Sequence, residues 1–130
     1  MKPPLSERRK YPRVSESVSC QISVGLSSTL STVTQNLSCG GALCILPESV
    51  APMTKLAVSL ELPDASRIGG SPRQRVRCTG VVIRQDKLLQ AGEPPPYLTA
   101  IYFSELKEED RRRIGEFILQ SMLAHDRRRS

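Results

Sequence analysis

Arg9-Lys10-Tyr11-Pro12-Arg13 sets two guanidiniums four residues apart near the N-terminus. A guanidinium is a planar fork. It binds phosphate oxygens in pairs and can lie flat on a purine. Further along, Asn36-Leu37-Ser38-Cys39-Gly40-Gly41 gathers an amide, a hydroxyl and two glycines on one turn. Asn and Ser side chains can read the polar edge of a base. Gly40 and Gly41 let backbone approach a ligand closely or adopt a positive φ. A basic segment and a polar turn of this kind can clamp a nucleotide.

The elements that must hold these residues follow from hydropathy patterning. Val18, Cys20, Ile22 and Val24 alternate with Ser19, Gln21 and Ser23, the period of a half-buried strand. Thr29 to Leu37 is rich in Thr, Val and Leu and reads as a second strand. The polar turn comes next, then Ala42 to Leu46, a short apolar run suited to a buried strand. Leu56 to Leu62, Arg73 to Arg84 and Tyr97 to Phe103 supply three more, separated by loops at 47–52, 63–72 and 85–96. Ser104 reads as a helix cap, with Glu105, Glu108, Glu109 and Asp110 near the positive helix start. Ile114, Phe117 and Ile118, then Ser121 or Met122, form an apolar stripe. Arg111-Arg112-Arg113 read as a solvated face, and Arg127 to Arg129 suit the helix end. The expected fold is all-β, a six-stranded antiparallel barrel or sandwich with one C-terminal helix.

Length and charge agree with this layout. The chain has 130 residues and 14.4 kDa, one domain's worth. It is long enough to bury roughly two-thirds of its unfolded surface. The net charge is +6, unevenly placed. Residues 1–13 carry five cations against one acid, and residues 14–106 are balanced. Residues 107–130 carry seven cations against five acids. Residues 1–13 are therefore expected to be a flexible basic arm, 14–124 the barrel with its helix, and 125–130 a basic tail. Basic ends seek anions. No apolar run approaches the ~18 residues of a membrane span. MKPPLSERRKYPRV lacks the apolar stretch of a signal peptide. A cytoplasmic setting with reduced thiols is the expectation.

Other chemistry finds little support. Cys20, Cys39, Cys44 and Cys78 form no C-x-x-C pair, and the single histidine, His125, lies among Asp and Arg. Convergent metal ligands are missing, so no metal or cofactor is expected. Cys20, Cys44 and Cys78 fall in apolar runs and suit core packing, whereas Cys39 lies in the turn. Neither a nucleophile–base pairing nor a phosphate-loop motif is present. The expectation is that the protein is not an enzyme. Two Phe, three Tyr and no Trp give few platforms for stacking single-stranded bases, so nucleic acid is not the expected partner. Apart from Tyr11, the aromatics are expected on apolar faces of the last strand and the helix.

R-x-x-x-R in an N-terminal arm, then [D/N]-x-S-x-x-G after two strands, resembles the PilZ domain family. Gly80-Val81-Val82-Ile83-Arg84 and Ala100-Ile101-Tyr102-Phe103 before a C-terminal helix fit the same resemblance. It implies a six-stranded barrel that binds cyclic di-GMP. It also implies that Arg9 and Arg13 grip the phosphates and the guanine, that Asn36 and Ser38 meet the base from its other side, and that Gly41 permits the turn. Gly40 neighbours that turn. Arg8 adds a guanidinium that could face a second, stacked nucleotide. Each motif occurs twice, since Arg73 to Arg77 and Asp64 to Gly69 match too. Only the first pair has the family order, with two strands between, and Gly41 leads straight into an apolar strand. Leu98 and Ala100 stand where members often carry glycine, and Asn36 replaces the commoner Asp. The implied role is a receptor in bacterial second-messenger signalling, its arm closing over the nucleotide and a downstream protein partner reading the result. The alternative is an adaptor of the same fold that binds protein and no nucleotide.

Overall fold

The computed structural model describes residues 11–25, 28–63 and 74–129. The strands are β1 (Ser19–Val24), β2 (Ser28–Leu37), β3 (Gly41–Leu46), β4 (Lys55–Leu62), β5 (Gln74–Lys87) and β6 (Tyr97–Glu105). A C-terminal helix, α1 (Glu108–Arg129), follows. Every pairing is antiparallel. The order β1-β2-β3-β6-β5-β4 closes on itself as a barrel, so none of the described strands is an open edge. The basic arm expected at 1–13 lies outside the described residues up to Lys10. So do the second D-x-S-x-x-G match and Arg73.

The alternation that marked the strands is what fills the barrel. Cys20 and Ile22 of β1 and Leu56, Val58, Leu60 and Leu62 of β4 all point inward and are buried. Each large aliphatic chain so buried contributes about 1.5–3 kcal/mol relative to exposure. Ile114 and Ile118 of α1 join the same core, with Phe117 partly buried beside them. Beyond Ile118 the helix shows Leu119, Met122 and Leu123 to solvent, so the expected stripe packs for about two turns and stops. Cys20 and Cys44 are buried, and Cys39 and Cys78 pack against the core. Its hydrogen bond to Cys44, together with burial, pushes the Cys20 thiol up, and burial pushes Cys78 up to about 11. Both stay protonated at neutral pH and serve as small hydrophobes.

Most boundaries agree with the sequence reading within a residue, but α1 runs on to Arg129, so residues 125–129 are helix and not the basic tail expected there, and three other boundaries differ. β5 continues to Lys87 rather than stopping at Arg84, because Gln85, Asp86 and Lys87 keep pairing with Thr99, Leu98 and Tyr97 of β6, and a polar network holds the Gln85 side chain. Its amide accepts from the Val50 N–H at 2.8 Å and donates to Thr99 Oγ1 at 2.8 Å. β6 likewise continues to Glu105. Ser104 is therefore a strand residue and caps no helix; its hydroxyl donates to the Thr79 carbonyl at 3.3 Å. The helix starts at Glu108, leaving Glu105 in the strand and Glu108, Glu109 and Asp110 in the first helical turn.

Candidate functional site

Val14 fastens the chain that follows the arm. It exchanges two backbone hydrogen bonds of 2.9 Å with Leu37, at the end of β2. Four residues on, the Val18 N–H donates to Thr34 Oγ1 at 3.0 Å, while that hydroxyl donates to the Glu16 carbonyl at 2.6 Å. These bonds lay residues 14–18 along β2. Arg13 is thereby delivered beside Asn36 and Ser38 without belonging to any strand.

Asn36 owes its direction to a bulge. Thr34 pairs with Cys44, but Asn36 pairs with Leu43 and Leu37 with Ala42, a shift of one residue within β2. An extra residue reverses which side chains face inward. Thr34 and Leu37 are both fully buried, and Asn36 between them is turned outward. Uninterrupted alternation from Thr34 would have sent Asn36 into the barrel.

The turn after β2 is built by Ser38. Its hydroxyl accepts from the amides of Gly40 and Gly41 at 3.0 and 3.2 Å, and its own N–H donates to the Gly41 carbonyl at 2.9 Å. Ser38 is buried, and its hydroxyl is engaged by the turn rather than presented to a base. The Phe103 N–H donates to the Gly40 carbonyl at 2.9 Å and joins the turn to β6. The glycines are needed for space, not for positive φ, which neither adopts. A Cβ on Gly41 would collide with the Ile101 carbonyl oxygen. A Cβ on Gly40 would come within 3.1 Å of the Tyr11 ring.

Arm, turn and barrel wall enclose a cleft of about 330 Å³. Arg13, Asn36, Ser38, Gly40 and Gly41 all line it, so one place gathers every described residue singled out from the two motifs. Arg8 and Arg9 lie outside the described residues. The volume is at the low end for ligand sites.

Further residues line the cleft that the sequence reading did not assign to it, and four of them matter most. Tyr102 and Ile83, both more than half exposed, form part of its wall. Tyr102 thus sits on the open face of β6 and not on an apolar one, because Phe103 takes the inward position. Ala100, one of the two positions at which the resemblance departs from a frequent glycine, lies on the same wall. Arg111 is the fourth, and it corrects the reading of residues 111–113 as a solvated face. Its Nη1 donates to the Cys39 carbonyl at 3.0 Å and to the Tyr11 hydroxyl at 3.2 Å. Its guanidinium carbon sits 5.4 Å from the Tyr11 ring centroid. Hydrogen bonds from a charged donor are worth about 1.5–3 kcal/mol. Arg113 differs, pairing with Glu109 and Asp110 at 2.8 Å. The largely exposed Glu109 pair contributes at most about 1 kcal/mol. A signal for Arg111 existed: with the helix phase known, residues 111, 114 and 118 share one face.

The closed barrel, the terminal helix and the cleft between motif segments define the class. The PilZ domain model matches residues 7–120, and the chain belongs to that family. Comparison with curated proteins gives no match. Among solved structures, the chain is similar to the Bacillus subtilis inhibitor of motility, MotI/DgrA, at 21% identity and a TM-score of 0.75. That match covers 94% of this chain and 57% of the other. It is also similar to the PilZ domain of YcgR from Escherichia coli, solved with c-di-GMP, at 20% identity and a TM-score of 0.61 over 94% and 96% of the two chains. A third is the K. pneumonia MrkH–c-di-GMP complex, at 17% identity and a TM-score of 0.71 over 93% and 55%. The chain thus spans little more than half of MotI/DgrA and MrkH, and nearly the whole YcgR domain. Among the described residues no helix is long and apolar enough to cross a membrane.

Proposed function

We propose that this chain is a cyclic di-GMP receptor domain with its nucleotide in the cleft between arm and turn. The observation that carries the reading is the meeting of Arg13, Asn36 and the Ser38–Gly41 turn on that one cleft. Two similar structures, YcgR and MrkH, were solved with c-di-GMP, which supports the same choice of ligand. Cyclic di-GMP carries two phosphates and two guanines. Arg13, with Arg9 from the arm, binds phosphate and lies against guanine. Asn36 reads the polar edge of the base. Ser38 acts through the turn, fixing the amides of Gly40 and Gly41. Tyr102 offers a flat face to a purine. Arg8 meets a second, stacked nucleotide, which a stoichiometry of two per chain would reveal. The protein has no catalytic role, and its output is a downstream protein partner that recognises the closed arm. Free thiols suit a cytoplasmic setting.

Calorimetric titration with cyclic di-GMP tests this reading on the parent chain, Arg13→Ala and Asn36→Ala. Saturable binding at micromolar or tighter affinity is expected, with each variant at least about tenfold weaker, as loss of a charge-assisted or base-reading bond implies. Absence of heat in the folded parent chain would contradict the receptor reading and leave a nucleotide-independent adaptor. Unchanged affinity in Arg13→Ala would remove that residue from the site.

A further inference from the structure

Arg111 is where three separate segments meet. The residue belongs to α1, yet its Nη1 donates both to the Tyr11 hydroxyl and to the Cys39 carbonyl. The contact is returned, since the Cys39 thiol reaches the Arg111 carbonyl at 3.6 Å. Nε lies 3.7 Å from the Glu108 carboxylate, which steadies the side chain from its own helix. Only 27% of the Arg111 side chain is exposed. Tyr11 lies between the two arginines of the arm motif, and Cys39 between Ser38 and Gly40 of the turn. One guanidinium therefore spans the two halves of the site. Arg13 is held between two anchors, Tyr11 on Arg111 and Val14 on Leu37.

We propose that Arg111 is a positioning residue for the nucleotide site, fixing the arm against the turn and coupling both to α1. The inference rests on the cyclic di-GMP reading of the same cleft. A backbone and side chain already held in place lose less freedom when the ligand arrives. A lysine cannot reproduce the link, because an ammonium lacks the planar fork that lies over the Tyr11 ring while donating past it.

The test combines affinity with the state of Tyr11. Cyclic di-GMP is titrated into the parent chain, Arg111→Gln, Arg111→Lys, Tyr11→Phe and the Tyr11→Phe/Arg111→Gln double variant, with the Tyr11 ring followed by NMR before ligand is added. Loss of one immobilised side chain implies a weakening of about three- to tenfold in Arg111→Gln. Arg111→Lys is expected to recover little of it. Tyr11→Phe, which keeps the ring and removes only the hydroxyl, is expected to lose less. The double variant should be no weaker than Arg111→Gln, because both changes break one link. Parent affinity in Arg111→Gln, full recovery in Arg111→Lys, or additive losses would each overturn the proposal. If the parent chain binds no cyclic di-GMP, the receptor reading fails by itself. The Tyr11 resonances then decide the anchor: a shift in ligand-free Arg111→Gln supports it and unchanged resonances overturn it.

Discussion

Gly41 shows how one missing side chain can set a site. The backbone of β3 runs so close to β6 that a Cβ at this position would strike the Ile101 carbonyl oxygen. Gly41→Ala must therefore separate the two strands at the point where the turn ends and β3 begins. Overpacking of this kind costs about 1–3 kcal/mol. Urea denaturation should show a lower midpoint, and a midpoint equal to that of the parent chain would contradict the close approach. The amino acid was legible in the sequence, but its reason was not. A glycine after a polar turn reads as a need for positive φ, whereas here it is contact with a strand sixty residues away in the chain. Asn36 is similar. Its type marked it as a reader of polar edges, and only the bulge after Thr34 turns it toward the cleft. A one-residue bulge leaves no mark in hydropathy.

At the scale of elements, strand number and helix were legible because alternation, a β-rich composition or a short apolar run marks each strand, and each buries its apolar set. The ends were less so. Ser104 followed by acids has the chemistry of a cap, yet the same residues pair along β5 until Glu105. The missed site residue has a different cause. Read by composition, Arg111 is one cation in the run Arg111-Arg112-Arg113. Its spacing to Ile114 and Ile118, three and seven residues, puts it on their face wherever the helix starts, and its contacts with Tyr11 and Cys39 aim it at the turn. The helix has two parts. Its first half is packed, with Ile114 fully buried, and its second half leaves Leu119 more than half exposed. Ile114→Ala should therefore cost about 2–5 kcal/mol, and Leu119→Ala at most about 0.5 kcal/mol. Thermal or urea denaturation of the two variants checks the division; equal costs would place the helix differently on the barrel.

For the whole molecule, charge and fold meet at one end. The barrel body is neutral, and the basic arm joins it where Arg13 and Arg111 line the cleft. A dianionic ligand gains from such a concentration of positive charge in a concave site. The site draws on the arm, the β2–β3 turn, β5, β6 and α1, so occupancy there touches segments far apart in the chain. The most direct measurement is a ¹H–¹⁵N correlation spectrum of the chain titrated with cyclic di-GMP. The largest shifts are expected at Asn36, Gly40, Tyr102 and Arg111, with little change at Gln21 and Ser59 on the strands β1 and β4. No shifts at saturating nucleotide, or the largest shifts on β1 and β4, would contradict the account.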